Sequence, residues 1–262
     1  MKLNLRQSAF QAPDFNTLFL ALAVSLLAIG PLRQAVAQQP ASPQVREAVR
    51  LVHNVSASTS DYQHAVGPVV WPGDESGKHA ACHTDCSGFI NALLKHTYQL
   101  TDEQLSAMLQ AHRPLAKHYY AAITAGHGFQ AITSLQQVQP GDIIAVCYLK
   151  SEKGENTGHV MLLAGTPRQR PASEPVVAGT LQWEVPVIDE SESGHGLHDT
   201  RHLAEGGFRD GLGAGILRIY TDASGKIVGH SWSETRKSKF RSQLDRPLVI
   251  GRPQLGEPTL AR

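Results

Sequence analysis

Cys86, His159 and Asp189 lie far apart in this chain, and their side chains are the types that nucleophilic acyl chemistry requires. Cys86 stands in Asp85-Cys86-Ser87-Gly88-Phe89, where a loop gives way to an apolar run with helical spacing at residues 89–98. A thiol in the first turn of a helix faces N–H groups that lack an intrahelical acceptor, and it faces the positive end of the dipole. Both favour the thiolate, which is the attacking form. Asp85 is the expected N-cap, its carboxylate taken up by the N–H of Ser87 or Gly88 and so less opposed to a thiolate beside it. A lone cysteine opening a core helix would be an ordinary small buried residue. A suitable downstream histidine turns the reading toward a nucleophile.

Such a nucleophile needs a base, and the base needs a partner that orients it. The chain has 13 histidines, so position must choose among them. His159 follows Thr157-Gly158, where glycine permits a sharp turn, and it opens the apolar strand of residues 160–163. A histidine at the start of a strand is held rigidly yet reaches a sheet edge. Asp189 ends an alternating segment that puts Val185, Val187 and Asp189 on one face. A carboxylate there would accept a hydrogen bond from the far nitrogen of His159, fixing the tautomer and stabilising the imidazolium. Glu190 and Asp199 are the competing carboxylates.

A second polar constellation runs from Ser193 to His202 and contains His195, His198, Asp199, Arg201 and His202. Its density invites a metal reading, but metal ligands usually come as spaced pairs on regular structure, and this stretch has the composition of a loop. No metal is assigned. The alternatives are a polar loop rimming the cleft, with Arg201 or His195 reaching a substrate carboxylate, and a solvated surface loop. His79, His83 and Trp71, near the nucleophile, carry no assignment.

The elements that must position these groups change character along the chain. Ser42-Pro43 opens a helix with Val45, Ala48, Val49 and Val52 on its apolar face. Residues 56–84, rich in Gly, Pro, His and Ser, read as an irregular loop. The Cys86 helix follows, then a capping box at Thr101-Asp102-Glu103-Gln104, then a helix from Pro114 to Ala125. After the turn at Pro140-Gly141-Asp142 the pattern is of strands: residues 143–149, 159–164, 183–189, 216–221 and 226–232, with a short one at 248–250. Asp222-Ala223-Ser224-Gly225 is a hairpin turn. Helices first and an antiparallel sheet afterwards predict an α+β fold.

Residues 1–37 read as an export signal: Lys2 and Arg6, an apolar run at residues 18–29, and the small-x-small site Ala35-Val36-Ala37. Residues 38–262 then suit a single domain, periplasmic or secreted, with no membrane segment once the signal is removed. A formal net charge of +1 with interspersed signs suggests no nucleic-acid or polybasic membrane partner. Three cysteines in an exported protein allow one disulfide. If Cys86 stays reduced, Cys82 and Cys147 are the possible pair, although Cys147 is as easily a small hydrophobe in a strand.

Asp85-Cys86-Ser87-Gly88-Phe89, Gln139-Pro140-Gly141-Asp142-Ile143 and Gly158-His159-Val160-Met161-Leu162-Leu163-Ala164-Gly165 resemble, in order, the three signature blocks of the NlpC-like cell-wall cysteine peptidases. The resemblance covers roughly residues 45–190. It implies a papain-like α+β domain in which a cysteine at a helix start faces a histidine on the adjacent sheet, with a third polar residue on the next strand. On this sequence those are Cys86, His159 and Asp189. It also implies Tyr62 as a tyrosine lining the site near the oxyanion, and Asp85 and Ser87, which flank the nucleophile, are expected with it as substrate or oxyanion residues. The family's third residue usually follows the histidine more closely and is often His, Asn or Gln; here residues 166–182 intervene. The expected activity is an exported cysteine hydrolase that needs no cofactor and cleaves amide bonds, foremost in peptidoglycan stem peptides. A cysteine acyltransferase or amidase of the same superfamily on another substrate, and a non-catalytic wall-binding module, are the alternatives.

Overall fold

The helical half of the chain begins where proline meets a cap position. In the computed structural model, which describes residues 42–65, 67–74, 77–149 and 156–256, helix α1 (Pro43–Asn54) starts with Pro43 in its first turn and buries Val45, Ala48, Leu51 and Val52. The region expected to be an export signal lies outside the described residues. Those residues belong to one unit, Pro40–Arg262, and no described helix is long and apolar enough to cross a membrane.

Residues 56–84 are more ordered than their composition predicts. They form β1 (Ser60–Tyr62), β2 (Val69–Val70) and β3 (Ala81–Thr84), a small sheet ordered β1-β3-β2 in which β1 and β3 run parallel. Strands this short carry too little periodicity to stand out from Gly- and Pro-rich surroundings. Helix α2 (Cys86–Tyr98) then buries Phe89, Ile90, Leu93 and Leu94, a stripe repeating at three and four residues. Emptying one of these fully buried sites, as in Leu93→Ala, costs about 2–5 kcal/mol. Helix α3 (Asp102–Leu109) opens with the expected reciprocal Thr101–Gln104 capping box, and α4 (Ala116–Ala125) stops at Gly126, whose φ of +72° supplies the left-handed cap.

Nine strands make the main sheet: β4 (Phe129–Ile132), β5 (Ile143–Cys147), β6 (Gly158–Leu163), β7 (Arg168–Arg170), β8 (Leu181–Ser191), β9 (Gly211–Thr221), β10 (Ile227–Ser231), β11 (Phe240–Ser242) and β12 (Leu248–Pro253). Its order is β11-β10-β9-β8-β6-β5-β12-β4, with β7 against β8, and every pairing is antiparallel. The fold is thus α+β. The segment at 248–250 is longer than expected and sits inside the sheet, between β5 and β4. Alternation divides the interior in two. Ile143, Ala145, Val160, Leu162 and Ile188 join the helices in one cluster, while Ile144, Val146, Met161, Leu163 and Val187 join β9, β10 and β12 in the other.

Helix α2 packs against β6 and β8. Between those strands, residues 166–182 return through β7 along the first half of β8, so the second half of β8 still pairs β6 at Leu162 with Ile188. The insertion therefore leaves the end of β8 beside the start of β6. Cys82, Cys86 and Cys147 are all free, so the possible Cys82–Cys147 disulfide is not formed. Cys82 is enclosed on β3, whereas Cys147 ends β5 half-exposed.

Candidate active site

Asp85 caps α2 by accepting hydrogen bonds from the Gly88 N–H and the Ser87 hydroxyl, both at 2.7 Å, and Arg113 Nη2 lies 2.8 Å from its other oxygen. Gly88 is required here, because a Cβ would run into the Thr84 hydroxyl. The cap leaves Cys86 in the first helical turn, where its N–H and that of Ser87 have no intrahelical acceptor. Asp85 and Ser87 border the hollow in front of Cys86, but their side-chain polar atoms serve the cap instead of an oxyanion or a substrate.

Gly158 has φ +150°, and a Cβ there would collide with the Val146 carbonyl, so glycine is needed where the chain enters β6. His159 follows, only 4% exposed. Its Nε2 lies 2.6 Å from Asp189 Oδ2, which leaves Nδ1 as the nitrogen available to the nearby Cys86 side chain. Burial alone would depress the basicity of this ring. The Cys86 sulfur and the Asp189 carboxylate outweigh it and hold the His159 pKa well above the usual histidine range. The three residues singled out by type and position are thus brought together.

Asp189 is fully buried and accepts on both oxygens. Oδ2 also faces His195 Nε2 at 3.0 Å, and Oδ1 takes Arg201 Nη2 at 2.8 Å. Although burial opposes its charge, His195 and Arg201 keep its pKa well below the carboxylate range. Arg201, itself fully buried, makes a two-pronged contact with Asp199 at 2.9 and 2.8 Å. His195 Nδ1 faces the Trp232 carbonyl at 2.6 Å, so each of its ring nitrogens lies against an acceptor. Within residues 193–202, His195, Asp199 and Arg201 therefore turn inward as a buried clamp on Asp189 instead of reaching a substrate, while Ser193 borders the hollow on the His159 side. The loop's histidines diverge, with His198 toward Glu234 and His202 against Phe208, and among the described residues no group of three His, Cys, Asp or Glu could hold a metal ion.

The competing carboxylates go elsewhere. Glu190 points away from its neighbour, as alternation along β8 requires, and its carboxyl sits near the Cys82 thiol, with neither oxygen hydrogen-bonded among the described residues. Burial foremost, and then the Asp189 charge, push its pKa up to about 9. Asp199 holds Arg201 in place and accepts the His195 N–H at 2.7 Å.

Space for the clamp comes from β9. Gly213 pairs with Asp189, and a Cβ on it would strike the Arg201 side chain; one on Gly215 would strike Asp199 and His195. Glycine at every second position strips one face of a strand, a signal present at Gly211-Leu212-Gly213-Ala214-Gly215 but not read from the sequence. Trp232 was also missed: its ring stands edge-on to His159 at 4.8 Å and lies tilted over His195 at 4.3 Å.

Two hollows flank the reactive pair. One, about 550 Å³, lies in front of Cys86 and is lined by Leu115, Ala116 and Arg113. The other, about 370 Å³, lies on the His159 side. Tyr62 borders both, and burial, then the Cys86 and Asp85 charges, raise its phenol pKa, so it remains a neutral donor. Trp71 stacks on His96 and His83 pairs with Asp61, so neither serves this site.

No protein-family model and no solved structure matches the chain significantly. It is similar to the uncharacterized protein R653 of Acanthamoeba polyphaga mimivirus, with 34% identity over 199 residues, spanning 74% of this chain and 87% of that protein. Identity of that extent means that the chain belongs to the same family as the mimivirus protein R653.

Proposed function

We propose that this chain is an exported cysteine hydrolase of the papain-like, NlpC-like type that cleaves amide bonds, with peptidoglycan stem peptides as substrate. The observation that carries the reading is the row Cys86–His159–Asp189, with the sulfur at a helix start, the imidazole close to it, and the far imidazole nitrogen hydrogen-bonded to a buried carboxylate. The three sequence blocks and the succession of helices and antiparallel strands support the NlpC-like assignment. The N-terminal pattern supports export to the periplasm or beyond.

In the reaction the Cys86 proton passes to His159 Nδ1, and the sulfur attacks the substrate carbonyl carbon. The negative oxygen that forms is stabilised by the Cys86 N–H and the Tyr62 hydroxyl. His159 then gives its proton to the departing nitrogen as the C–N bond breaks, leaving a thioester on Cys86. Water, deprotonated by the same imidazole, hydrolyses the thioester and restores the thiol. Asp189 stays ionised throughout and keeps Nδ1 turned to the sulfur. These steps need no cofactor.

The test is incubation of the purified chain with muropeptides beside a Cys86→Ala variant. New amino groups released by the unsubstituted protein and absent with the variant are expected. Muropeptide bound tightly by both without products would instead assign a binding module. Amine release that survives Cys86→Ala would remove the thiol from the mechanism.

A further inference from the structure

The hollow on the His159 side has a chemical character of its own. Lys239, Arg241 and Arg246, from β11 and its flanking loops, converge on it, and Tyr148 forms one wall with the Arg246 guanidinium 4.2 Å over its ring. Two acids oppose them. Asp245 is paired with Arg241 at 3.3 Å, and Glu192 at the rim faces His64 at 3.7 Å. Among the described residues, Lys239 and Arg246 have no carboxylate within ion-pair distance. His230 also lines the hollow; it is 4% exposed, and its Nδ1 has no partner. Burial and the nearby Arg246 and Arg241 charges depress its pKa to about 4. Burial foremost, with the two guanidinium charges added to it, thus keeps this imidazole neutral.

We propose that this hollow is a subsite for an anionic substrate group, a carboxylate held by Lys239, Arg241 and Arg246 next to the scissile amide. The proposal rests on the cysteine-hydrolase reading and narrows it to acyl compounds with an acid group close to the cleaved bond. Two guanidinium groups offer planar forks that match a carboxylate, whereas a lone ammonium would act as a point charge. With the two opposing acids in place the excess is about one positive charge, which suits a monoanion better than a phosphate dianion. These cations lie beyond residue 190, outside the blocks that carry the NlpC-like resemblance.

Calorimetric titration of the full chain with glutarate, its uncharged diamide glutaramide, and inorganic phosphate tests this at fixed ionic strength. Glutarate is expected to bind at least about tenfold more tightly than glutaramide, and Arg246→Gln, Arg241→Gln and Lys239→Gln should each erode that preference. Equal binding of the diacid and the diamide, or a preference unmoved by all three substitutions, would overturn the subsite. Tighter binding of phosphate than of glutarate would overturn the carboxylate assignment. Iodoacetamide labelling of Cys86 on the same samples separates this from the parent reading. Fast labelling without glutarate binding rejects the subsite alone. Slow labelling with charge-dependent glutarate binding rejects the hydrolase and leaves an anion site.

Discussion

Asp189 shows how one side chain acquires a role through what surrounds it. Two carboxylates stand side by side on β8, and the pleat sends one to His159, His195 and Arg201 and the other to Cys82. The first is held ionised and the second neutral, although both are fully buried. Asp189→Asn keeps the volume but loses the charge and one acceptor. We expect turnover to fall by roughly 10²–10⁴-fold with the fold retained. The Asp189 charge raises the His159 pKa, so its loss makes the imidazolium a stronger acid, and the alkaline limb of the pH–rate profile should move to lower pH. A pH–rate profile that drops uniformly without such a shift would contradict the orienting role. The alternation of Val185, Val187 and Asp189 was legible in the sequence, and so were Cys86 and His159. Arg201 and His195 were not, because a loop rich in Gly, His and Asp has no periodicity to show which side chains turn inward.

Among the elements, β9 carries the least expected part of the design. From sequence it begins at residue 216, where the apolar run starts, yet it extends back to Gly211 through glycines that pack nothing of their own. Their function is clearance: the face they leave bare receives Arg201, Asp199 and His195. Gly213→Ala should cost about 1–3 kcal/mol by overpacking against Arg201. Gly256→Ala, whose Cβ would meet nothing, should leave stability unchanged. Thermal unfolding of the two variants checks this, and equal midpoints would refute the clearance role. Helices were read nearly to their ends because caps and prolines mark them, as at Thr101 and Pro43. The short strands β1, β2 and β3 were not, since two to four residues cannot establish a period.

For the molecule as a whole, burying Glu190 couples stability to pH. Its folded pKa of about 9 lies above the ordinary 4.5, so between those limits the native state holds a proton that the unfolded chain releases. Stability therefore falls as pH rises through that window, by up to about 1.4 kcal/mol per unit from this group alone. Glu190→Gln removes the titrating proton and should flatten the decline between pH 5 and 8.5, as measured by urea unfolding. An unchanged slope would place the origin of the decline elsewhere. The order of elements, helices before an antiparallel sheet, was legible because hydrophobic period changes from helical to alternating after residue 139. The β12 insertion between β5 and β4 was not, since pairing partners distant in sequence leave no local mark.

Competitive labelling of the three cysteines tests the central claim most directly. The native chain and a His159→Ala variant would be treated with limiting iodoacetamide near neutral pH, and modification at Cys82, Cys86 and Cys147 followed by peptide mass spectrometry. The account predicts that Cys86 reacts first, well ahead of the more exposed Cys147 and faster than free N-acetylcysteine, and that His159→Ala removes the advantage. A Cys86 that reacts no faster than N-acetylcysteine, or just as fast without the imidazole, would contradict it.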